Sequence, residues 1–122
     1  MLTYFKPEEF HCKCSNADCP KEDINPSLLI LLNALRDRLN KPFVITSGVR
    51  CQKHNTAVGG APLSQHINGI AVDISTNGWT SDDKYELIRL ALSLGFGGVG
   101  LHSKFIHLDI RKTNNAVWIY GK

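Results

Sequence analysis

Two stretches of the chain carry apolar residues at helical spacing, and both are bounded by helix signals. The first follows Asn25-Pro26, where the asparagine can cap a first turn and the proline has no N–H to lose, and it ends before Lys41-Pro42. The second begins at Thr80 or Ser81, either of which can cap it, and it stops at Gly95. The pattern therefore predicts two helices, near 26–40 and 81–94.

Shorter apolar stretches predict four strands, at 43–46, 70–75, 106–111 and 116–120. In the second and third of these, apolar residues alternate with small or polar ones, so the two sets point to opposite faces. Asp73, His107 and Asp109 fall on the face opposite the apolar residues. Both strands are therefore expected to pack on a core with one face and to present candidate ligands on the other.

Residues 49–68 carry few periodic apolar positions and contain Gly59-Gly60 and Pro62. They predict a long loop, and a loop of this length in a small domain is usually functional. No strand is predicted in the glycine-rich residues 97–100, which lie just before His102. The chemistry of the chain is therefore expected to involve both strands and loops.

Composition and charge describe an ordinary globular chain. Its 122 residues suit one domain, expected to span 1–122 with 1–24 as a cysteine-containing segment packed on it. The net charge of +3, without a long basic run, does not favour nucleic-acid binding. The N-terminus has no Sec-type signal, and the longest apolar run, 28–32, is too short to insert into a membrane. We therefore expect a protein made in the cytoplasm that needs lysis or another export route to act outside the cell.

Two histidines and an aspartate provide the main candidate for a metal site. Asp73 follows His66 by seven residues, and His107 follows Asp73 by 34. Two imidazoles and a carboxylate suit zinc, and three protein ligands leave a fourth position for water that zinc can activate for hydrolysis. On one straight strand an odd separation would place His66 and Asp73 on opposite faces, so a turn at Gly69 is needed. The alternative is a buried histidine and an unrelated surface aspartate.

Four other residues are candidates for supporting roles. Asp109 lies two residues after His107 and can orient its imidazole, or it can form a salt bridge with Arg111 or Arg50. Arg50 can bind a substrate carboxylate through two hydrogen bonds, or form a structural salt bridge. His102 can transfer a proton, or it can be a surface loop histidine. Ser64 can bond a substrate or only the loop backbone.

The remaining histidines and the tryptophans are interpreted as structural. His11 and His54 lack partners at ligand spacing and are expected to be structural or exposed. Trp79 and Trp118 are expected to pack in the core or at its rim rather than to stack on a substrate.

The four cysteines leave several states open. Cys12, Cys14 and Cys19 lie near the N-terminus, and Cys51 follows Arg50. They can form disulfides, bind a structural zinc ion or remain reduced and buried, and the spacing does not choose among these states. In each case they are expected to connect the N-terminal segment to the loop that contains Arg50, and none is paired with a histidine as a nucleophile.

These segments together resemble the zinc D-Ala-D-Ala carboxypeptidase family, which includes phage endolysin peptidases and shares its fold with the hedgehog signalling domain. The family pattern Ser-x-His-x-x-Gly-x-Ala-x-Asp stands intact at 64–73, and the later His-x-Asp stands at 107–109. Residues 47–50 (Ser-Gly-Val-Arg) are similar to the family's Ser-Gly-Tyr-Arg, and 55–60 also match. The resemblance covers roughly residues 25–112.

The resemblance implies an α+β fold, with an antiparallel sheet, helices on one side and a zinc cleft on the other. It implies that His66, Asp73 and His107 bind Zn²⁺ and that Arg50 contacts the substrate or the transition state. The implied substrates are peptidoglycan stem peptides, cut by a carboxypeptidase or a related endopeptidase of phage, prophage or bacterial origin. We expect the protein to be a monomer.

One position departs from part of the family. Several branches place Glu or Asp three residues before the last zinc histidine as general base, and here that residue is Lys104. The carboxypeptidase branch instead has a histidine five residues before the ligand, where His102 stands. The resemblance therefore implies a polarising or proton-transfer role for His102. The alternative is a non-catalytic, zinc-containing module that binds the cell wall or a protein.

Overall fold

A computed structural model describes residues 4–60 and 64–120. It contains a short 3₁₀ helix at Pro7–Phe10, followed by helices α1 (Pro26–Leu39), α2 (Gln52–Ala57) and α3 (Ser81–Leu94) and strands β1 (Ile45–Ser47), β2 (Ala71–Ser75), β3 (Gly98–Leu101), β4 (Phe105–Asp109) and β5 (Ala116–Ile119). The α+β class is confirmed. Pro62, expected in a loop, lies outside the described residues.

The two long helices begin and end where the sequence predicts. Asn25 caps α1 by accepting a hydrogen bond from the backbone of Ser27, and Asn40 ends the helix in a left-handed conformation. Thr80 caps α3, and Gly95 ends it at φ +101°. The prediction succeeds because helix ends are specified by a few adjacent residues that satisfy otherwise unpaired backbone groups.

The sheet has the order β1-β2-β4-β3-β5. Three neighbouring pairs are antiparallel, but β3 and β5 are parallel, so the expected antiparallel sheet is in fact mixed. The reason lies in the available edges. Because β2 and β3 already occupy both edges of β4, β5 joins the sheet beside β3. It runs opposite to β4, as β3 does, and the β3–β5 pair is therefore parallel.

Two elements differ from the sequence expectations. The glycine-rich residues 97–100 lie mostly in β3, and the predicted long loop contains α2. A side chain at Gly98 would collide with the carboxylate of Asp109, and a Cβ at Gly100 would approach the Trp118 ring to 2.6 Å. Glycine is therefore required in this strand by its neighbours, which local sequence patterns do not reveal.

The core lies between the sheet and the two long helices. Leu28, Leu32 and Leu35 of α1 and Leu87 and Ala91 of α3 are fully buried. They join apolar residues of β2 and β4 in one cluster, together with Phe5 and Phe10 of the N-terminal segment. The side chains that alternate with these strand residues point to the opposite face of the sheet. No helix in the described parts of the chain is long and apolar enough to cross a bilayer.

Candidate metal centre

The three predicted ligands converge on the face of the sheet opposite the helices. Asp73 in β2 and His107 in β4 are direct cross-strand partners. His66 lies in the turn before β2, and its ring joins them from the side. One oxygen of Asp73, Oδ1, lies 3.2 Å from His66 Nε2 and 3.2 Å from His107 Nδ1. All three side chains are buried, and all three potential ligand atoms lie within 4.8 Å of one another.

A turn at Gly69 makes this approach possible. Gly69 has φ +72°, a left-handed conformation that glycine adopts readily, and its N–H donates to the carbonyl of His66 at 3.2 Å. The chain thereby reverses between His66 and β2. The odd separation of His66 and Asp73, which would be unsuitable on one straight strand, becomes compatible with a shared site.

Each imidazole is oriented by a hydrogen bond on the ring nitrogen that does not face Asp73. His66 Nδ1 donates to the carbonyl oxygen of Gly48 at 2.8 Å, and His107 Nε2 donates to Asp109 Oδ2 at 2.7 Å. In the neutral rings these protons leave the lone pairs on His66 Nε2 and His107 Nδ1, which both face Asp73 Oδ1. Histidine ligands of metals commonly have such an outer partner.

The donor set fits zinc. Two nitrogen lone pairs and one carboxylate oxygen converge in a buried space, and three acceptors in such contact require a shared cation or proton. Burial opposes a charged Asp73, but hydrogen bonds from His107 and His66, made when the ring nitrogens that face it carry protons, outweigh burial and hold the pKa of Asp73 well below its usual range. The carboxylate is therefore charged at neutral pH. A set of two imidazoles and one carboxylate is a common protein environment of catalytic zinc.

Asp109 performs both of the roles that the sequence leaves as alternatives. It is fully buried, it accepts the hydrogen bond from His107, and it forms a two-fold interaction with Arg111 at 2.9 and 2.7 Å. Burial opposes its charge, but hydrogen bonds from Arg111 hold the pKa of Asp109 well below its usual range. Arg111 thus acts through Asp109 on His107. Only the spacing Asp109-x-Arg111 indicated this role.

Arg50 contacts the metal centre through Asp73. Its guanidinium donates to Ser47 at 3.1 Å, to Asn55 at 3.2 Å and to Asp73 Oδ2 at 3.3 Å. The structural salt bridge that the sequence leaves open is therefore present. Because Arg50 binds Oδ2, the other oxygen, Oδ1, remains directed at the two imidazoles. Arg50 also lines the cleft, so contact with a substrate remains compatible with this geometry.

The cleft above the centre has a volume of about 840 Å³. It brings together the three candidate ligands and the predicted Arg50, His102 and Ser64. Its remaining lining residues are Val58, Gly59, Gly60, Gln65, Phe105, Arg111, Trp118 and Tyr120. A cleft of this size accommodates a short peptide or a drug-sized molecule.

His102 lies at the side of this cleft with a fixed ring orientation. Its Nδ1 accepts the backbone N–H of Lys104 at 3.0 Å, and its ring stacks on Phe105 at a centroid distance of 4.4 Å. The neutral ring therefore carries its proton on Nε2, which makes it a hydrogen-bond donor. Lys104 itself lines a second cleft, with Ser75 and Trp79.

Ser64 has a backbone partner. Its hydroxyl accepts the N–H of His66 at 3.1 Å and thereby stabilises the turn that presents this histidine. The loop-backbone alternative is present, while the position of Ser64 in the cleft lining leaves substrate contact a prediction.

Two aromatic residues of the site were missed by sequence reasoning. Trp118 packs 5.0 Å from the His107 ring, and the Arg111 guanidinium lies 5.0 Å from its indole. Tyr120 packs against Trp118 and Phe105. Trp118 was expected to pack in the core or at its rim rather than to stack on a substrate, and the structure adds that it forms a wall of the cleft. The signal was available in the alternation of aromatic and exposed aliphatic residues along β5 and just beyond it.

The chain is a small α+β protein with a buried His-Asp-His set at the base of a cleft, the arrangement of a catalytic zinc site. Residues 3–109 match the sequence profile of the Peptidase M15 family, and the chain belongs to that family. Members of this family are zinc peptidases. No curated protein sequence matches the chain significantly.

Proposed function

We propose that this protein is a zinc-dependent peptidase that hydrolyses peptidoglycan stem peptides, as a D-Ala-D-Ala carboxypeptidase or a related cell-wall endopeptidase. The observation that carries the proposal is the convergence of lone pairs from His66, Asp73 and His107 at the base of a peptide-sized cleft. Membership of the M15 peptidase family supports the reaction class. The specific substrate follows from the resemblance of the site motifs.

The residues around the centre would have different roles in hydrolysis. Bound zinc would act as a Lewis acid and activate water at neutral pH. Asp73 and the two histidines would hold it, while Asp109 fixes the ring of His107. The guanidinium of Arg50 donates to Ser47, Asn55 and Asp73, and its two other N–H groups would be directed to a substrate carboxylate or developing negative charge.

The role proposed for His102 is donation of a hydrogen bond from Nε2, which would polarise the scissile carbonyl. Its Nδ1 is occupied by the Lys104 N–H, so the neutral ring is a donor toward the substrate rather than a base. A hydrogen-bond donor in this position would stabilise negative charge on the carbonyl oxygen. Ser64 is proposed as a further substrate contact at the opening of the cleft.

We also propose that the protein acts on the cell wall as a monomer, after release by lysis or through another export route. Its substrate partner would be a peptidoglycan peptide, and neither nucleic acid nor membrane insertion is part of the proposal.

The test is digestion of purified peptidoglycan from several wall types, followed by mass spectrometry of the released fragments. We expect loss of one stem-peptide bond, sensitivity to a chelator and recovery after zinc is returned. Released D-alanine would indicate a carboxypeptidase, whereas internal cleavage would indicate an endopeptidase. The His66→Ala protein is the matched control. Zinc-loaded protein that cleaves no wall type would contradict the proposal.

One observation favours a second candidate, a zinc-containing binding module without catalysis. Among the described residues that line the cleft, Asp73 is the only carboxylate, and it is a candidate ligand. A conventional carboxylate base is therefore missing from that set. Sedimentation with insoluble peptidoglycan under conditions without turnover would identify this function, and binding with no fragment release over long incubation would favour it over hydrolysis.

A further inference from the structure

A second cluster of potential metal ligands lies away from the cleft. Cys12, Cys14, Cys19 and Cys51 bring their sulfur atoms within 4.8 Å of one another. All four are free thiols, and Cys51 approaches the others from a part of the chain far from the N-terminal segment. The cluster therefore joins two chain segments that no strand pairing connects.

The spacing of the sulfur atoms agrees with tetrahedral coordination. Four sulfurs at about 2.3 Å from one zinc ion stand about 3.8 Å from each other. The sulfurs of Cys14 and Cys51 are 3.7 Å apart. Two disulfides would require only two close pairs, and they would not require all four sulfurs to share one small space.

Two of the sulfurs accept a hydrogen bond from a backbone N–H. Cys12 accepts from the N–H of Cys51 at 3.3 Å, and Cys51 accepts from that of His54 at 3.5 Å. Neutral sulfur is a weak acceptor, whereas a thiolate is stabilised by such donors and is the form that binds metals.

A cation lies at the edge of the cluster. The Lys21 ammonium donates to the carbonyls of Cys12 and Cys14 at 2.6 Å each, and it is 3.7 Å from the Cys14 sulfur. Four thiolates around one divalent ion carry excess negative charge. Lys21 is placed to offset part of that charge while it fixes the loop between the ligands.

We propose that Cys12, Cys14, Cys19 and Cys51 bind a structural zinc ion, separate from the centre in the cleft. Four protein ligands complete its coordination, so this ion has no open position for water or substrate. Its effect would be mechanical. The backbone N–H of Val49 donates to the carbonyl of Phe10 at 2.8 Å, beside the same cluster. The zinc ion would hold the N-terminal segment against the turn that contains Arg50.

The first test combines metal analysis with a count of thiols. Protein purified without added metal is analysed for zinc and iron, and thiols are counted in denaturant with chelator and without reductant. We expect about two zinc ions and four thiols per chain, as one catalytic-type and one four-thiolate site require. About one zinc ion should remain in His66→Ala, and about one in Cys12→Ser/Cys51→Ser. Lys13→Ala, an exposed change in the same segment, should keep both.

A second measurement uses the folded parent chain, because the double variant can fail to fold. A mercurial reagent is added stepwise, and released zinc is followed with a chromogenic chelator. We expect one zinc ion to be released as four thiols react, in the parent and in His66→Ala alike. If no free thiols are found and only one zinc ion is bound, the cysteines form disulfides and the proposal is wrong. Four thiols with one zinc ion in the cleft, or iron in the cluster, would also overturn it.

Discussion

The two clusters of metal-ligating side chains are built on different parts of the fold. His107 and Asp73 stand on adjacent central strands, and buried side chains or a carbonyl orient the ligands. The four cysteines stand in irregular segments and at the start of α2, and backbone N–H groups orient two of their sulfurs. The sheet site has three ligands and faces a cleft, whereas the sulfur site has four. Ligand number therefore separates a site suited to chemistry from one suited to structure.

One short turn connects both clusters. The Gly48 carbonyl orients His66, and the guanidinium of Arg50 holds Asp73. Cys51 follows directly and contributes a sulfur to the second cluster. A side chain at Gly48 would press against the backbone of Phe10, so the N-terminal segment lies in close contact with this turn. A disturbance in the sulfur cluster is therefore expected to reach the cleft through residues 48–51.

The largest expected effect follows from removing the zinc site of His66, Asp73 and His107 while the four-cysteine site is kept. His66→Ala removes one ligand and the partner of the Gly48 carbonyl, so the zinc ion in the cleft should be lost and hydrolysis abolished. Elemental analysis and a stem-peptide assay measure the two effects. The sulfur site should retain its ion, because it shares no ligand with the first. Full activity in this variant would show that the cleft ion is not the catalytic one.

The next effect concerns His102, which the proposal places in catalysis but not in metal binding. His102→Ala should lower kcat/KM by about 10²- to 10³-fold, the usual contribution of one hydrogen bond to a developing oxyanion. Zinc content should remain unchanged. His102→Gln should recover part of the activity, because its amide retains an N–H donor.

Steady-state kinetics with zinc analysis separates these variants, and His11→Ala serves as a histidine control outside the cleft lining. Equal activity in His102→Ala and the parent chain would remove His102 from the mechanism and leave its packing on Phe105 as its role.

A smaller effect is expected when the outer partner of a ligand is changed. Asp109→Asn weakens the hydrogen bond to His107 and leaves Arg111 without its buried carboxylate. We expect zinc affinity at the cleft to fall about 10- to 100-fold. Competition with a chromophoric chelator measures this loss, and activity should return at high zinc concentration. Asp82→Asn, an exposed change on α3, is the matched control. An unchanged affinity in Asp109→Asn would contradict the orienting role.

The smallest expected effect concerns the stability of the folded state against pH, whose slope should have opposite signs in the metal-free and the zinc-bound protein. Burial opposes protonation of His107, but Asp109 and Asp73 raise its pKa above the ordinary 6.5. Without metal, the folded state thus binds more protons than the unfolded state. This contribution to stability is complete below pH 6.5 and is lost as pH rises through the raised pKa.

With zinc the direction reverses, because the metal binds the deprotonated ring and its affinity rises with pH. Thermal unfolding between about pH 6 and 8, with chelator and with zinc, should show falling and rising Tm respectively. The same slope in both conditions would contradict the assignment of His107 as a ligand.

Much of this protein follows from local sequence. The ends of α1 and α3 depend on adjacent capping residues, and the opposite faces of β2 and β4 depend on two-residue alternation. Both are short-range properties, so the placement of Asp73 and His107 on one face could be predicted. The motif that contains Gly69 also predicted the turn that brings His66 to them.

Only the tertiary structure decided the remaining features, because they depend on contacts between distant segments. The glycines of β3 are explained by Asp109 and Trp118, which occupy the space of their side chains. The parallel pairing of β5 depends on which sheet edge remains free. Cys51 meets the three cysteines of the N-terminal segment only through folding, across a separation that no spacing rule covers. Local patterns specify which way a side chain points, but only packing specifies what it meets there.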